Sequence, residues 1–190
     1  MNKLLIGIDF GTSTNFVTKY DYKKMDAVEV SNMGGYGASN IIKNCIYIEN
    51  ENNVIIGKDD RALRDPQNYF ENIKRYITVG KEFVVPNLGN KKLTAQELAQ
   101  KIFEKIKEKV ESNENRKIEG VVLTVPYEYG DLYNKKLKDA ASAAGLNVIG
   151  ILEEPVSAAL AYGVLNTSIR KENILVFDLG GGTLDITIFN

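Results

Sequence analysis

Asp9-Phe10-Gly11-Thr12-Ser13-Thr14-Asn15, entered from the apolar run Leu4 to Ile8, has a counterpart near the other end of the chain. There Ile174 to Phe177 leads into Asp178-Leu179-Gly180-Gly181-Gly182-Thr183-Leu184-Asp185. Each phrase reads as strand, carboxylate, glycine turn, hydroxyl, returning strand. Glycine reaches backbone angles that let successive N–H groups face one concavity, and such a nest suits phosphate oxygens. Carboxylates beside a polyphosphate repel it, so two of them at paired turns imply a hard divalent cation, magnesium with its water shell. One such hairpin alone is explained by turn chemistry, since Asp and Gly are favoured in turns for conformational reasons. Two with matched strands point to a nucleotide's phosphates held between hairpins.

Composition narrows the alternatives. The 190 residues can bury a substantial core, and 24 basic residues stand against 25 acidic ones, which gives no broad footprint for nucleic acid or an anionic membrane. Histidine is absent, which excludes Ser-His-Asp and Cys-His catalysis and histidine metal sites from within the chain. Cys45 is the one cysteine and reads as a buried, inert thiol in a reducing compartment. The apolar run at the N-terminus is too short for a secretory signal and no later stretch could span a bilayer, so a soluble, cytoplasmic protein is expected.

Mixed strands and helices run along the chain. Val17 to Asp21 should return from the first hairpin, Ala27 to Val30 adds a strand, and Gly34-Gly35-Tyr36-Gly37 reads as a connection. Asn44 to Glu49 and Asn53 to Ile56 suggest another hairpin, with helices after it from Lys58 to Asp65 and from Pro66 through Ile77. Thr94 with Glu97 forms a capping box before Leu98, Ile102, Ile106 and Val110, which repeat at helical spacing. Gly120 to Val125 suits a buried strand ended by Pro126. Asp131 to Ala144 reads as a helix closed by Gly145, Asn147 to Leu152 as a strand, and Pro155 to Tyr162 as a short alanine-rich helix.

Gly7-Ile8-Asp9-Phe10-Gly11-Thr12, Val125-Pro126, Glu154-Pro155-Val156-Ser157-Ala158-Ala159-Leu160-Ala161-Tyr162-Gly163 and the Asp178 to Asp185 phrase occur in a definite order. In order and spacing they resemble the N-terminal part of the actin-like ATPase domain of the seventy-kilodalton heat-shock chaperones. The resemblance covers nearly the whole chain and is weakest from Tyr20 to Gly57. It implies an α/β actin-like ATPase fold, a ribonuclease-H-like sheet flanked by helices, with a smaller inserted subdomain between about Ile41 and Lys117. Residues 1–168 would be the first lobe of the nucleotide-binding domain, and 169–190 the start of a second.

The resemblance also implies roles. Asp9 and Asp178 would orient magnesium through water, with Asp185 in support. Gly11, Thr12, Ser13, Gly180, Gly181, Gly182 and Thr183 would hold the β- and γ-phosphates of ATP or ADP, Asp178 and Thr183 also serving catalysis. Lys74 would offset charge at the γ-phosphate. Glu154 would orient the attacking water. On the residues alone Lys74 reads as a surface lysine of a helix and Glu154 as a helix N-cap, and the choice of Glu154 over Glu153 rests on its preceding the proline.

Departures from the pattern are informative too. Asn134 stands eight residues past Pro126, where the family usually has an arginine associated with interdomain signalling. Val156 replaces a usual threonine, and Tyr127-Glu128-Tyr129-Gly130 is unusual after Pro126. The returning run Leu184, Ile186 and Ile188 has no further partner sheet in the sequence, so the chain reads as a fragment with half a nucleotide cleft. By the resemblance, the parent would hydrolyse ATP to drive binding and release of unfolded peptides with co-chaperones, and the cut hairpin would invite self-association. An actin-like filament or scaffold ATPase and a sugar or acetate kinase of the same superfamily are the alternatives, since one fold hosts many functions.

Overall fold

In a computed structural model that describes residues 3–34, 40–57, 60–162, 173–181 and 183–189, one six-stranded sheet, three smaller sheets and three α-helices are formed. Strand β1 (Leu5–Phe10) is the pivot of the largest sheet. It pairs antiparallel with β2 (Thr14–Asp21), and β2 with β3 (Asp26–Glu29). On its other side β1 pairs parallel with β10 (Gly120–Val125), and β10 with β11 (Val148–Glu153). The resulting order is β3-β2-β1-β10-β11, with the short β4 (Ile41–Lys43) also on β2. Residues alternate across this sheet as the strand period demands. Ile6, Ile8 and Phe10 of β1 and Val121, Leu123 and Val125 of β10 turn into the core, while Asp9 and Thr124 turn to the other face.

Helix α1 (Ala95–Glu114) begins with the expected capping box. The Thr94 N–H donates to Glu97 at 2.7 Å, and the Glu97 N–H donates to the Thr94 hydroxyl at 3.2 Å. Such caps are worth about 1 kcal/mol. Its buried stripe of Leu98, Ile102, Phe103, Ile106 and Val110 joins the core, with the Phe103 ring 5.1 Å from that of Phe10. Helix α2 (Gly130–Ala143) lies beside α1 and is followed by Gly145, whose φ of 75° lies in the left-handed region that glycine favours. Helix α3 (Glu154–Ala161) continues directly from β11. The last two strands, β12 (Ile174–Leu179) and β13 (Leu184–Phe189), form an antiparallel hairpin of their own.

The segment from 58 to 77 differs from the expected pair of helices. Residues 58 and 59 lie outside the described residues. From there the chain makes a 3-10 turn at Asp60–Leu63, another at Pro66–Asn68, strand β7 (Tyr69–Glu71) and a third turn at Ile73–Tyr76. Two nonlocal forces override the helical reading. Strand β7 hydrogen-bonds to the open edge of β5 (Cys45–Ile48), whose other edge holds β6 (Val54–Ile56). Asp65 meanwhile accepts from Asn68, Tyr47 and Asn87 at 2.9–3.1 Å, which pins the chain in a turn. Asn72 then takes φ 58°, a left-handed conformation that stops any helix there. The hairpin of β8 (Glu82–Val85) and β9 (Lys91–Thr94), in which Phe83, Val85 and Leu93 turn inward and Glu82, Val84, Lys91 and Lys92 stay exposed, was not among the expected elements. Cys45 is buried, as expected, and burial raises its thiol pKa. Of the Gly34 to Gly37 connection, residues 35–37 lie outside the described residues. Among the described residues no helix is long and apolar enough to cross a membrane.

Candidate functional site

The two glycine turns are closed by the same backbone bond. In the first, the Gly11 N–H donates to the Thr14 carbonyl at 3.0 Å, and Asp9 sits opposite Phe16 across the hairpin. In the second, the Gly180 N–H donates to the Thr183 carbonyl at 2.9 Å, and Asp178 sits opposite Asp185. Glycine is required at position 11, since a Cβ there would run into the Thr14 carbonyl oxygen. The turns also meet. A Cβ on Gly181 would lie 2.5 Å from the Ser13 Oγ and 2.8 Å from the Ser13 Cβ, so the second turn approaches the first as backbone against side chain. Gly182 is outside the described residues.

The other expected residues converge from separate elements. Asp9, at the carboxyl end of β1, accepts a hydrogen bond from the Thr124 hydroxyl of neighbouring β10 at 2.8 Å. Glu154 is the first residue of α3, with Glu153 at the cap position and no side-chain cap bond, so the N-cap reading of Glu154 is replaced. The surface reading of Lys74 is replaced as well. It lies in the 3-10 turn after β7, is 4% exposed, and its Nζ donates to the Glu154 Oε1 at 2.7 Å. Burial pushes the Glu154 carboxyl up, the Lys74 ammonium pulls it down, and the carboxylates of Asp9 and Asp178 push it up again. Three acids from three elements therefore share one electrostatic neighbourhood with Lys74.

Glu154 and Asp178 both line two adjoining hollows. The larger, of about 880 Å³, opens on the sheet face of Asp9 and Thr124 below α3 and β12. The smaller, of about 410 Å³, runs from Pro126 and Tyr127 to Asp185 and Phe189. Among the described residues no three acid, cysteine or histidine side chains converge closely enough to ligate a metal directly.

Asn44, which sequence reasoning passed over, holds the first turn from outside. Its N–H donates to the Ser13 carbonyl at 2.8 Å and its side-chain amide donates to the Gly11 carbonyl. Both carbonyls are thereby satisfied on the side of β4 and β5. Its only sequence signal is its place between two short strands, which says nothing of a glycine turn 33 positions earlier.

A five-stranded order of β3-β2-β1-β10-β11, three antiparallel strands followed by two parallel ones, defines a ribonuclease-H-like lobe of the actin-like class. A family model described as Hsp70 protein matches residues 79–190. The chain belongs to the Hsp70 family, and its fold is that of an actin-like ATPase. It is 34% identical to the chaperone protein DnaK of Methanothermobacter thermautotrophicus over 97% of the chain and 30% of the relative. It is 30% identical to a heat shock protein of Pyricularia oryzae over 97% of the chain and 34% of the relative. With DnaK of Endomicrobium trichonymphae the identity is 32%, over 97% of the chain and 29% of the relative. The chain thus spans about a third of the length of the curated relatives it matches. Nothing in these comparisons favours a filament protein or a sugar kinase.

Proposed function

We propose that the chain supplies the first lobe and second phosphate hairpin of a magnesium-dependent, ATP-hydrolysing chaperone that acts in the cytoplasm on unfolded peptides with co-chaperones. The observation that carries this reading is the Lys74–Glu154 pair, set where two glycine turns led by Asp9 and Asp178 approach each other. The lobe boundary near 168 and the inserted segment from about 41 to 117 belong to the same proposal.

In this reading Gly11 and Gly180 shape the two turns, their own N–H groups closing them on Thr14 and Thr183, while the N–H groups of Thr12, Ser13, Gly181 and Gly182, with the Thr12, Ser13 and Thr183 hydroxyls, bind the β- and γ-phosphates. Phosphoryl transfer to water needs placement and charge stabilisation more than covalent chemistry. Lys74 leaves Glu154 to meet the γ-phosphate and offset its growing charge. The freed Glu154 carboxylate then accepts a hydrogen bond from the attacking water and aims it in line with the leaving oxygen. Asp9, Asp178 and Asp185 would hold magnesium through water, and the ion would supply charge neutralisation for the phosphates. Burial keeps Lys74 from bulk solvent, which strengthens each of these interactions. The exposed apolar residues of β12 and β13 would support self-association of this chain.

Single-turnover hydrolysis of magnesium-ATP by the intact protein tests the reading. Hydrolysis that depends on magnesium, Lys74 and Glu154 supports it; nucleotide binding without hydrolysis, or hydrolysis indifferent to both residues, overturns it.

A further inference from the structure

Tyr133 is fully buried at 0% exposure, yet its hydroxyl has no hydrogen-bond partner among the described residues. The other fully buried residues of α2, Leu137, Ala140 and Ala141, are apolar, and the neighbouring Asn134 buries a side-chain oxygen that also has no partner among the described residues. A phenylalanine would fill the same space without stranding a donor, and a stranded buried donor is costly. Packing therefore accounts for the ring, which meets Tyr129 edge-on at 4.9 Å, and not for the oxygen.

The place of α2 suggests what the oxygen is for. One turn beyond Tyr133's own position, Lys136 donates to the Ile77 carbonyl at 3.1 Å, and the Ile77 N–H in turn reaches the Lys74 carbonyl at 3.5 Å. The same helix packs on β11, which runs straight into Glu154. The helix that carries Tyr133 thus lies against both the residue that follows the Lys74 turn and the strand that leads into Glu154. Burial first, then the nearby charges of Glu154, Tyr129 and Asp9, keep its hydroxyl protonated and so a donor. Of the groups that act on Glu154, Lys74 is the donor in use, while Asp9 and Asp178 as carboxylates can only accept.

We propose that Tyr133 is a positioning residue for Glu154: its hydroxyl is the reserve donor that takes the carboxylate when Lys74 turns to a γ-phosphate. The occasion for that exchange rests on the function proposed above. A buried carboxylate stripped of its cation is strongly disfavoured, so opening the pair needs a second partner close by. With Tyr133 present, Lys74 can leave and Glu154 stays charged and aimed.

The test is a four-member cycle of urea unfolding on this chain: wild type, Tyr133→Phe, Lys74→Met and the double variant, with Lys74→Gln replacing Lys74→Met if the latter does not fold. With Lys74 present, Tyr133→Phe should leave the midpoint unchanged or raise it, because it removes an idle donor. With Lys74 replaced, the same change should lower the midpoint. An equal effect in both backgrounds overturns the proposal. In the intact protein, Tyr133→Phe should cut the single-turnover rate about tenfold at unchanged nucleotide affinity, with no further loss in a Glu154→Gln background. An unchanged rate in an active enzyme likewise overturns it. A wild type that hydrolyses no ATP would sink the proposed function, while the unfolding cycle would still decide on Tyr133.

Discussion

The Nζ of Lys74 lies 2.7 Å from the Oε1 of Glu154, a residue 80 positions further along the chain. The two side chains are 5% and 17% exposed, so the pair is largely withdrawn from water. Burial of both charges is costly, and their attraction repays it only because each satisfies the other. The pair therefore ties the turn after β7 to the start of α3, just beyond the end of β11.

Lys74→Ala or Glu154→Ala should each lower single-turnover ATP hydrolysis by about a hundredfold or more, as loss of a charge-stabilising or water-placing group does. Lys74→Ala should also cost about 3–5 kcal/mol of stability, measured by urea unfolding, because Glu154 is left buried without its cation. Asn134→Ala should leave hydrolysis nearly unchanged.

Gly181→Ala should lower the melting temperature and weaken nucleotide binding, because the new methyl group would meet the Ser13 side chain and push the two turns apart. Adding Ser13→Gly should restore much of the melting temperature, since it removes the obstructing atoms. A double variant no more stable than Gly181→Ala alone would show that the turns do not meet there.

Asn44→Ala should reduce nucleotide affinity and cost about 1–3 kcal/mol of stability, because the Gly11 carbonyl loses its donor inside a buried region. Calorimetric titration with magnesium-ATP and a melting curve read the two effects. Asn44→Ser, which keeps a shorter donor, should fall between.

Stability should fall at both ends of the pH scale for identifiable reasons. Burial, then Glu154, raises the Tyr133 hydroxyl, and burial, then the bond with Cys45, raises Tyr69. The fold keeps protons that the unfolded chain gives up, so stability is lost as pH climbs past about 10, the ordinary tyrosine value. At the acid end, the hydrogen bonds from Asn68, Tyr47 and Asn87 hold Asp65 below its ordinary value. Its contribution is fully present above about pH 4 and is lost as pH falls through its lower folded value. Urea midpoints against pH should show both limbs, with Tyr133→Phe softening the alkaline one and Asp65→Asn the acid one.

Leu175, Phe177, Leu179, Leu184, Ile186 and Ile188 are each half or more exposed on the β12–β13 hairpin, which pairs with no third strand among the described residues. Unpaired apolar strands template pairing with another chain. Light scattering should therefore show concentration-dependent association, and deletion of residues 173–190 should abolish it without unfolding the rest. The core strands β1, β10 and β11 all lie upstream. A strictly monomeric chain, or a deletion that unfolds it, would place the hairpin within the lobe's own core.

Much of this architecture can be read from short stretches. Asp9 to Thr14 and Asp178 to Thr183 declare their turns because the closing bond, from Gly11 to Thr14 or Gly180 to Thr183, spans only three positions. The Thr94 cap and the Leu98 to Val110 stripe declare α1 for the same reason. Lys74 carries no such local sign. Its neighbours Arg75 and Tyr76 suit a solvent-facing helix, and only the closing of β7 onto β5 and the arrival of Glu154 bury it.

The sequence by itself determined the elements whose stabilising contacts lie within a few residues: the paired glycine turns, the capped helix and the alternating strands of the main sheet. Tertiary structure alone decided the path from 66 to 77, the clamp of Asn44 on the first turn, the meeting of Ser13 with Gly181 and the burial of Tyr133. The reason is the range of the forces. Turn and cap energies of about 1 kcal/mol act on neighbours in the chain. An open strand edge, a buried charge and an unsatisfied carbonyl instead impose costs that only a distant segment can relieve, and no local pattern records which segment that is.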